Sequence, residues 1–219
     1  MGGGYSSSRG GWDGGGGGGS PLEISDLVSQ REGKRSEVDQ VLSVMRDVQD
    51  QYGFNLDTAV AKMDKRGANT LAYYQFDSLN PNQGYVGVNR TFFDASKINS
   101  VYDDSVKQGF HPSRGNKTGM EATVAHEMGH AITGQIAQRQ GGGYFSFEKT
   151  SSQVMQNAKK KLGYKGQASD IGRKISGYGA KNPSEAIAEA FSDVYCNGRK
   201  AKRESKAVVE ALNDMYNGG

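Results

Sequence analysis

The chain has 219 residues and a formal net charge of +3, room for one substantial domain and too mild a charge to imply nucleic acid. Its single cysteine, Cys196, excludes an internal disulfide framework. No apolar run approaches a membrane span, and the N-terminus lacks the basic start and apolar core of a signal peptide. A cytoplasmic, virion-borne or delivered protein is therefore expected.

Residues 1–20 form a leader of their own kind. Eleven of them are glycine, with almost nothing apolar to bury, so the leader is expected to be disordered and the folded domain to span 21–219. Arg9 to Trp12 reads RGGW, a single copy of an RNA-binding pattern and too little to argue from. Ser20-Pro21-Leu22-Glu23 combines a cap, an N1 proline and an acid at N3, and predicts a short helix ending near Gly33. Ser36 can cap a second helix, in which Val38, Val41, Leu42, Met45, Val48 and Tyr52 recur at helical spacing until Gly53. A further short helix is predicted over Asp57 to Lys65.

Thr70 to Phe76 and Tyr85 to Asn89 are rich in aromatic and aliphatic residues and read as strands. The loop chemistry of Asn80 to Gly84 separates them, so they are expected as a hairpin or as neighbours. Residues 94–117 look irregular. Thr118 then opens a largely apolar helix, with Glu121 in place for a capping box, which should fade by Gly141 to Gly143. Glu148 to Leu162 suits another helix. Asn182-Pro183-Ser184-Glu185 repeats the cap, proline and acid signature and opens a helix to about Tyr195. A last amphipathic helix is expected from about Arg199 to Tyr216; its basic start reads as a solvated face.

The chemistry concentrates in VAHEMGHAI, inside the best-defined helix. His126 and His130 are four residues apart, so both imidazoles project from one face about one turn apart and can share one tetrahedral Zn²⁺. Glu127 stands one residue further round, where it reaches a water beside the metal without ligating; this is the physical content of the HExxH pattern. Two of the three histidines fall in the pattern; the bland alternative is a chance pairing of two helix histidines. Gly129 costs roughly 1 kcal/mol against alanine in a helix interior, so close approach of another element is expected there. A catalytic zinc needs a third protein ligand. Glu185, Glu189 and Asp193 form a stripe of carboxylates on one face of the later helix; alone, Glu185 would only cap it and Asp193 would only meet solvent.

HEMGH followed by SGYGAKNPSEAIAEAF resembles the zincin superfamily. Within it, the pattern is most similar to the catalytic domains of the anthrax lethal factor type, found in bacterial toxins and phage proteins. The resemblance covers about residues 118–197. It implies an α+β zincin-like fold, a small twisted sheet over the active-site helix, and zinc-dependent peptide hydrolysis. Position by position it implies His126, His130 and Glu185 as zinc ligands, Glu127 as general base, Tyr178 as the group polarising the scissile carbonyl, and Glu189 as an acid behind the ligands. One alternative stays open: Glu189 to Asp193 also reads E-x-x-x-D, the thermolysin-like arrangement, which would make Glu189 the ligand. The Tyr-Gly seven residues before Glu185 favours Glu185. A polypeptide substrate is expected to pair along strand 85–89, taken as the edge of the sheet. The third histidine, His111, reads as a plain loop residue, with a lid over the cleft as the alternative. An inactive zinc-binding structural protein, such as a phage virion component, is the competing reading of the whole.

Overall fold

The computed structural model describes residues 35–52, 58–64, 70–76, 83–89, 94–141 and 144–218. The leader and the helix expected over residues 20–33 lie outside them.

The fold is α+β and mostly helical. Helix α1 (Arg35–Tyr52) is followed by strands β1 (Thr58–Asp64), β2 (Ala72–Phe76) and β3 (Gln83–Asn89), and then by α2 (Ala95–Lys107), α3 (Gly119–Arg139), α4 (Tyr144–Leu162), α5 (Ala168–Ile175) and α6 (Pro183–Asn197). A single 3-10 turn (Gly198–Lys200) leads into α7 (Arg203–Asn217).

Helix α3 is the axis. Thr118 caps it as expected: its Oγ1 accepts from Glu121 N at 3.1 Å, and Glu121 Oε2 accepts from Thr118 N at 2.7 Å. Apart from Glu121, every residue from Gly119 to Ala137 is buried. A helix apolar on all sides needs neighbours on all sides, and α3 packs against α1, α2, α4, α6, α7, β2 and β3. Its closest partner is α6. A Cβ on Gly129 would come within 2.8 Å of Ala188 Cα and 3.1 Å of Phe191 Cβ, so this glycine lets two backbones approach.

The remaining helices anchor on these two. Helix α1 buries Val41, Val44, Met45 and Val48. Its Gln40 accepts from Thr118 Oγ1 and its Asp47 from Tyr195 O–H, both at 2.7 Å. Asp193, on α6, accepts from Lys202 N at 3.0 Å and from Ser205 Oγ at 2.6 Å, tying down the start of α7.

The sheet has three strands in the order β1-β3-β2, with β1 parallel and β2 antiparallel to β3. The two expected strands are therefore antiparallel neighbours, Tyr74 opposite Val86. Three expectations need correction. Residues 58–64 form strand β1 rather than a helix over Asp57 to Lys65. Residues 95–107 form a helix rather than irregular chain; Asp94 caps it, accepting from Ser96 N and Lys97 N at 3.1 Å. And β3, which holds residues 85–89, is the middle strand: its ladder groups are taken on both sides, so it offers no free edge to a substrate. Among the described residues no helix is long and apolar enough to cross a membrane.

Candidate metal centre

The helix period sets the first half of the site. His126 and His130 leave α3 one turn apart, their ring centroids 4.9 Å from each other. The second half comes from α6, whose N-cap Asn182 accepts from Glu185 N at 2.9 Å and whose Pro183 takes the position where no N–H is needed. Crossing at Gly129, α6 brings Glu185 to both rings: its Oε2 lies 3.2 Å from His126 Nε2 and 3.2 Å from His130 Nε2.

These three residues, all buried, could hold a metal ion. His126 Nε2 and Glu185 Oε2 are sealed from solvent and make no hydrogen bond among the described residues, although they face each other at 3.2 Å. Apart from the ion-pair contact between them nothing offsets their burial, and buried polar groups short of partners are costly. A tetrahedron whose centre lies about 2.0–2.1 Å from each corner has edges of about 3.3 Å, close to both observed separations. Two imidazoles and one carboxylate are also a donor set that transition metals take.

Glu189, a turn further along α6, faces the other nitrogen of the His126 ring. Its Oε1 accepts from His126 Nδ1 at 2.7 Å and from His111 Nδ1 at 2.8 Å, and its Oε2 accepts from Ser176 Oγ at 2.7 Å. Ser176 Oγ in turn accepts from Gly179 N at 2.9 Å, which fixes the SGYG loop. Helix α5 comes so close to this loop that a Cβ on Gly172 would collide with Gly179 O. Asp193 lies away from the cluster, engaged with Asn197 and the start of α7. Of the carboxylate stripe, then, Glu185 meets the His126 and His130 rings on their Nε2 side, Glu189 accepts from Nδ1 of His126 and of His111, and Asp193 is an anchor between helices.

Tyr178 is buried among Phe110, His111 and His126, with ring centroids 5.0, 5.4 and 5.7 Å away. Its O–H points to Glu185 Oε1 at 3.4 Å, and Lys181 Nζ sits 4.0 Å over its ring. Glu127 is fully buried on α3 beside the two histidines.

The electrostatics follow from this crowding. Burial draws the His126 imidazole down, but the adjoining Glu185 and Glu189 carboxylates, with the charge of Glu127, outweigh it and push it up to about 10. Burial likewise raises the Glu185 carboxyl, yet His130 and His126 hold it well below the usual carboxylate range. Glu189 is lowered to about 2, because His111 and His126 overcome its desolvation. In the absence of a metal, the cluster is therefore a set of ionised carboxylates around a protonated His126.

Of the residues weighed in the sequence, the structure brings His126, Glu127, His130, Tyr178, Glu185 and Glu189 together and leaves Asp193 outside. Two more belong to the centre. His111 is buried in it rather than lying on a plain loop. Ser176 joins it through Glu189. The serine was visible as the first letter of SGYG; nothing local marks His111 beyond being one of three histidines. The space beside the cluster is small, about 10 Å³, and is lined by Leu71, Tyr102, His111, Thr123, His126 and Glu189. A separate cleft of about 550 Å³ is lined by α4, α5, the turn from Gly179 to Asn182 and the start of α6. Comparison of the chain with protein-family models, curated proteins and solved structures found no match.

Proposed function

We propose that the protein is a zinc-dependent peptidase with a zincin-like catalytic core of the anthrax lethal factor type. The observation that carries the reading is the convergence of His126 Nε2, His130 Nε2 and Glu185 Oε2, with Glu127 on the same turn of α3. In that reading His126, His130 and Glu185 hold Zn²⁺. Bound there, the ion would supply Lewis acidity, making a water more acidic and polarising a carbonyl. Glu127, kept from bulk solvent, takes the attacking water's proton on its carboxylate and hands it to the leaving amine. Tyr178 turns its O–H from Glu185 to the oxygen that becomes negative. Glu189 holds His126 so that Nε2 faces the ligand cluster. With β3 in the middle of the sheet, the strand for pairing with a substrate passes to β2, an outer strand of the sheet, because Leu71 just before it lines the space beside His111 and His126.

The closed surroundings favour a second reading, a structural zinc-binding protein such as a virion component. Every residue of the cluster is nearly sealed from solvent, and the adjoining space of about 10 Å³ is too small to admit a substrate side chain. Against it, structural zinc sites ordinarily close with four protein ligands, and three come together among the described residues. Glu127→Gln separates the two. A peptidase should keep its zinc in this variant and lose 10²–10⁴-fold in turnover of a cleaved peptide, roughly the worth of a general base. A wild-type protein that binds zinc but cleaves nothing in a peptide library, read by mass spectrometry, would leave the structural reading standing.

A further inference from the structure

We infer that His111 is a positioning residue of this centre, joining the orientation of His126 to the placement of the tyrosine-bearing loop through their shared partner Glu189. The inference rests on the metal-centre reading for its functional meaning and on geometry for its substance.

Glu189 is the meeting point of three chain segments. His126 arrives from α3, Ser176 from the loop before α6, and His111 from the segment after α2. An ionised carboxylate accepts hydrogen bonds and donates none. Both Nδ1 atoms at Oε1 therefore carry their hydrogens, which leaves Nε2 of His126 as the nitrogen available to a metal. His111 is the donor that brings its own segment into this arrangement. That segment turns sharply at Gly109, whose φ of 69° suits a residue without a side chain. It then lies alongside the SGYG loop: Gly177 N donates to Gly109 O at 2.8 Å and Tyr178 N to Phe110 O at 2.9 Å. The His111 ring also stacks on Tyr102 at 5.4 Å and sits 5.4 Å from Tyr178. One residue thus touches α2, the acid behind the ligands and the tyrosine.

Ring packing and hydrogen bonding are separable. Phenylalanine keeps the ring and loses the N–H donor. Asparagine loses the ring, but its amide nitrogen can stand where Nδ1 stood and still donate to Glu189. If His111 acts by positioning, the phenylalanine variant should be the damaged one. If it only fills the core, the asparagine variant should be.

The test compares wild type, His111→Phe and His111→Asn in two measurements. In zinc competition with a chelator, His111→Phe should bind about 10–100-fold more weakly, as when the partner orienting a ligand is removed, and His111→Asn should stay within about threefold of wild type. In metal-free protein, hydrogen exchange at the Gly177 and Tyr178 amides should quicken about tenfold or more in His111→Phe and little in His111→Asn. A phenylalanine variant equal to wild type in both measurements, or an asparagine variant as impaired as it, overturns the inference. The exchange measurement needs no metal. If wild type takes up no zinc, the metal reading falls, while His111 is still judged by the amides of the loop it holds.

Discussion

Glu185 and Glu189 lie one turn apart on the same face of α6, and the crossing with α3 gives them opposite nitrogens of the His126 imidazole. Glu185 Oε2 meets the two Nε2 atoms, whereas Glu189 Oε1 meets Nδ1 of His126. Removing a ligand should cost more than removing the acid that aims it, since loss of an orienting partner typically costs about 10–100-fold in affinity or activity. Glu185→Ala is thus expected to weaken zinc binding more than Glu189→Ala, measured by chelator competition on folded protein. The reverse order would overturn the ligand assignment. At this scale the sequence was a good guide where spacing along one helix decides the outcome. His126 and His130 follow from the helix period, whereas Glu185 was preferred to Glu189 only through the Tyr-Gly of the family resemblance, its place in the first turn after Asn182 fitting a cap equally well. Their partners across the fold were not legible in the same way. His111 and Glu189 are 78 residues apart, and nothing in a loop reading GFHPSRGNK announces that its histidine will meet a carboxylate on a later helix.

Elements carry the precision that residues then use. The α3–α6 crossing depends on a glycine where most helices would prefer alanine. Gly129→Ala should gain up to about 1 kcal/mol in helix propensity. Its new methyl, however, would press on Ala188 Cα at 2.8 Å, a backbone atom that cannot rotate aside. Overpacking of this kind costs about 1–3 kcal/mol. The backbone contact puts the overpacking cost towards the upper end, so the variant is expected to be less stable by about 1–2 kcal/mol in urea unfolding, and to bind zinc more weakly because α6 carries Glu185. Unchanged stability would mean that α6 shifts freely, contrary to the packing described. The same elements show what sequence pattern leaves undetermined. Helices with strong ends, α3 and α6, were placed nearly to the residue. Strand β1 reads TAVAKMD, with alanine, lysine and methionine that suit a helix equally well, and its strand state comes from parallel pairing with β3. Helix α2 is polar, but Asp94 in front and Ile98, Tyr102 and Ser105 at helical spacing were signals enough. That YVGVN is a middle strand could not be read locally, because lateral order in a sheet is a long-range property.

Across the whole molecule, the centre stands where the core elements converge: α3 supplies two imidazoles, α6 two carboxylates, and the segment after α2 and the SGYG loop close it from the side. A group that stabilises this junction stabilises the fold, so metal binding and folding should be linked. Protons enter the same linkage. In the metal-free fold His126 is raised from 6.5 to about 10. A raised pKa means that the folded state holds the proton more tightly than the unfolded chain does. The corresponding stabilisation is complete below pH 6.5 and is lost as pH rises through about 10. The metal needs the neutral nitrogen and displaces that proton, so its apparent affinity should climb with pH, by up to about tenfold per unit while His126 is protonated. Both trends point the same way. Chelated protein should lose stability from pH 6.5 towards 10, and zinc-loaded protein should not lose this contribution. The gap in melting temperature between the two, recorded by calorimetry at several pH values in that window at fixed free zinc, is therefore expected to widen as pH rises. A gap that stays constant or narrows would show that zinc does not displace the His126 proton, and would remove His126 from the ligand set.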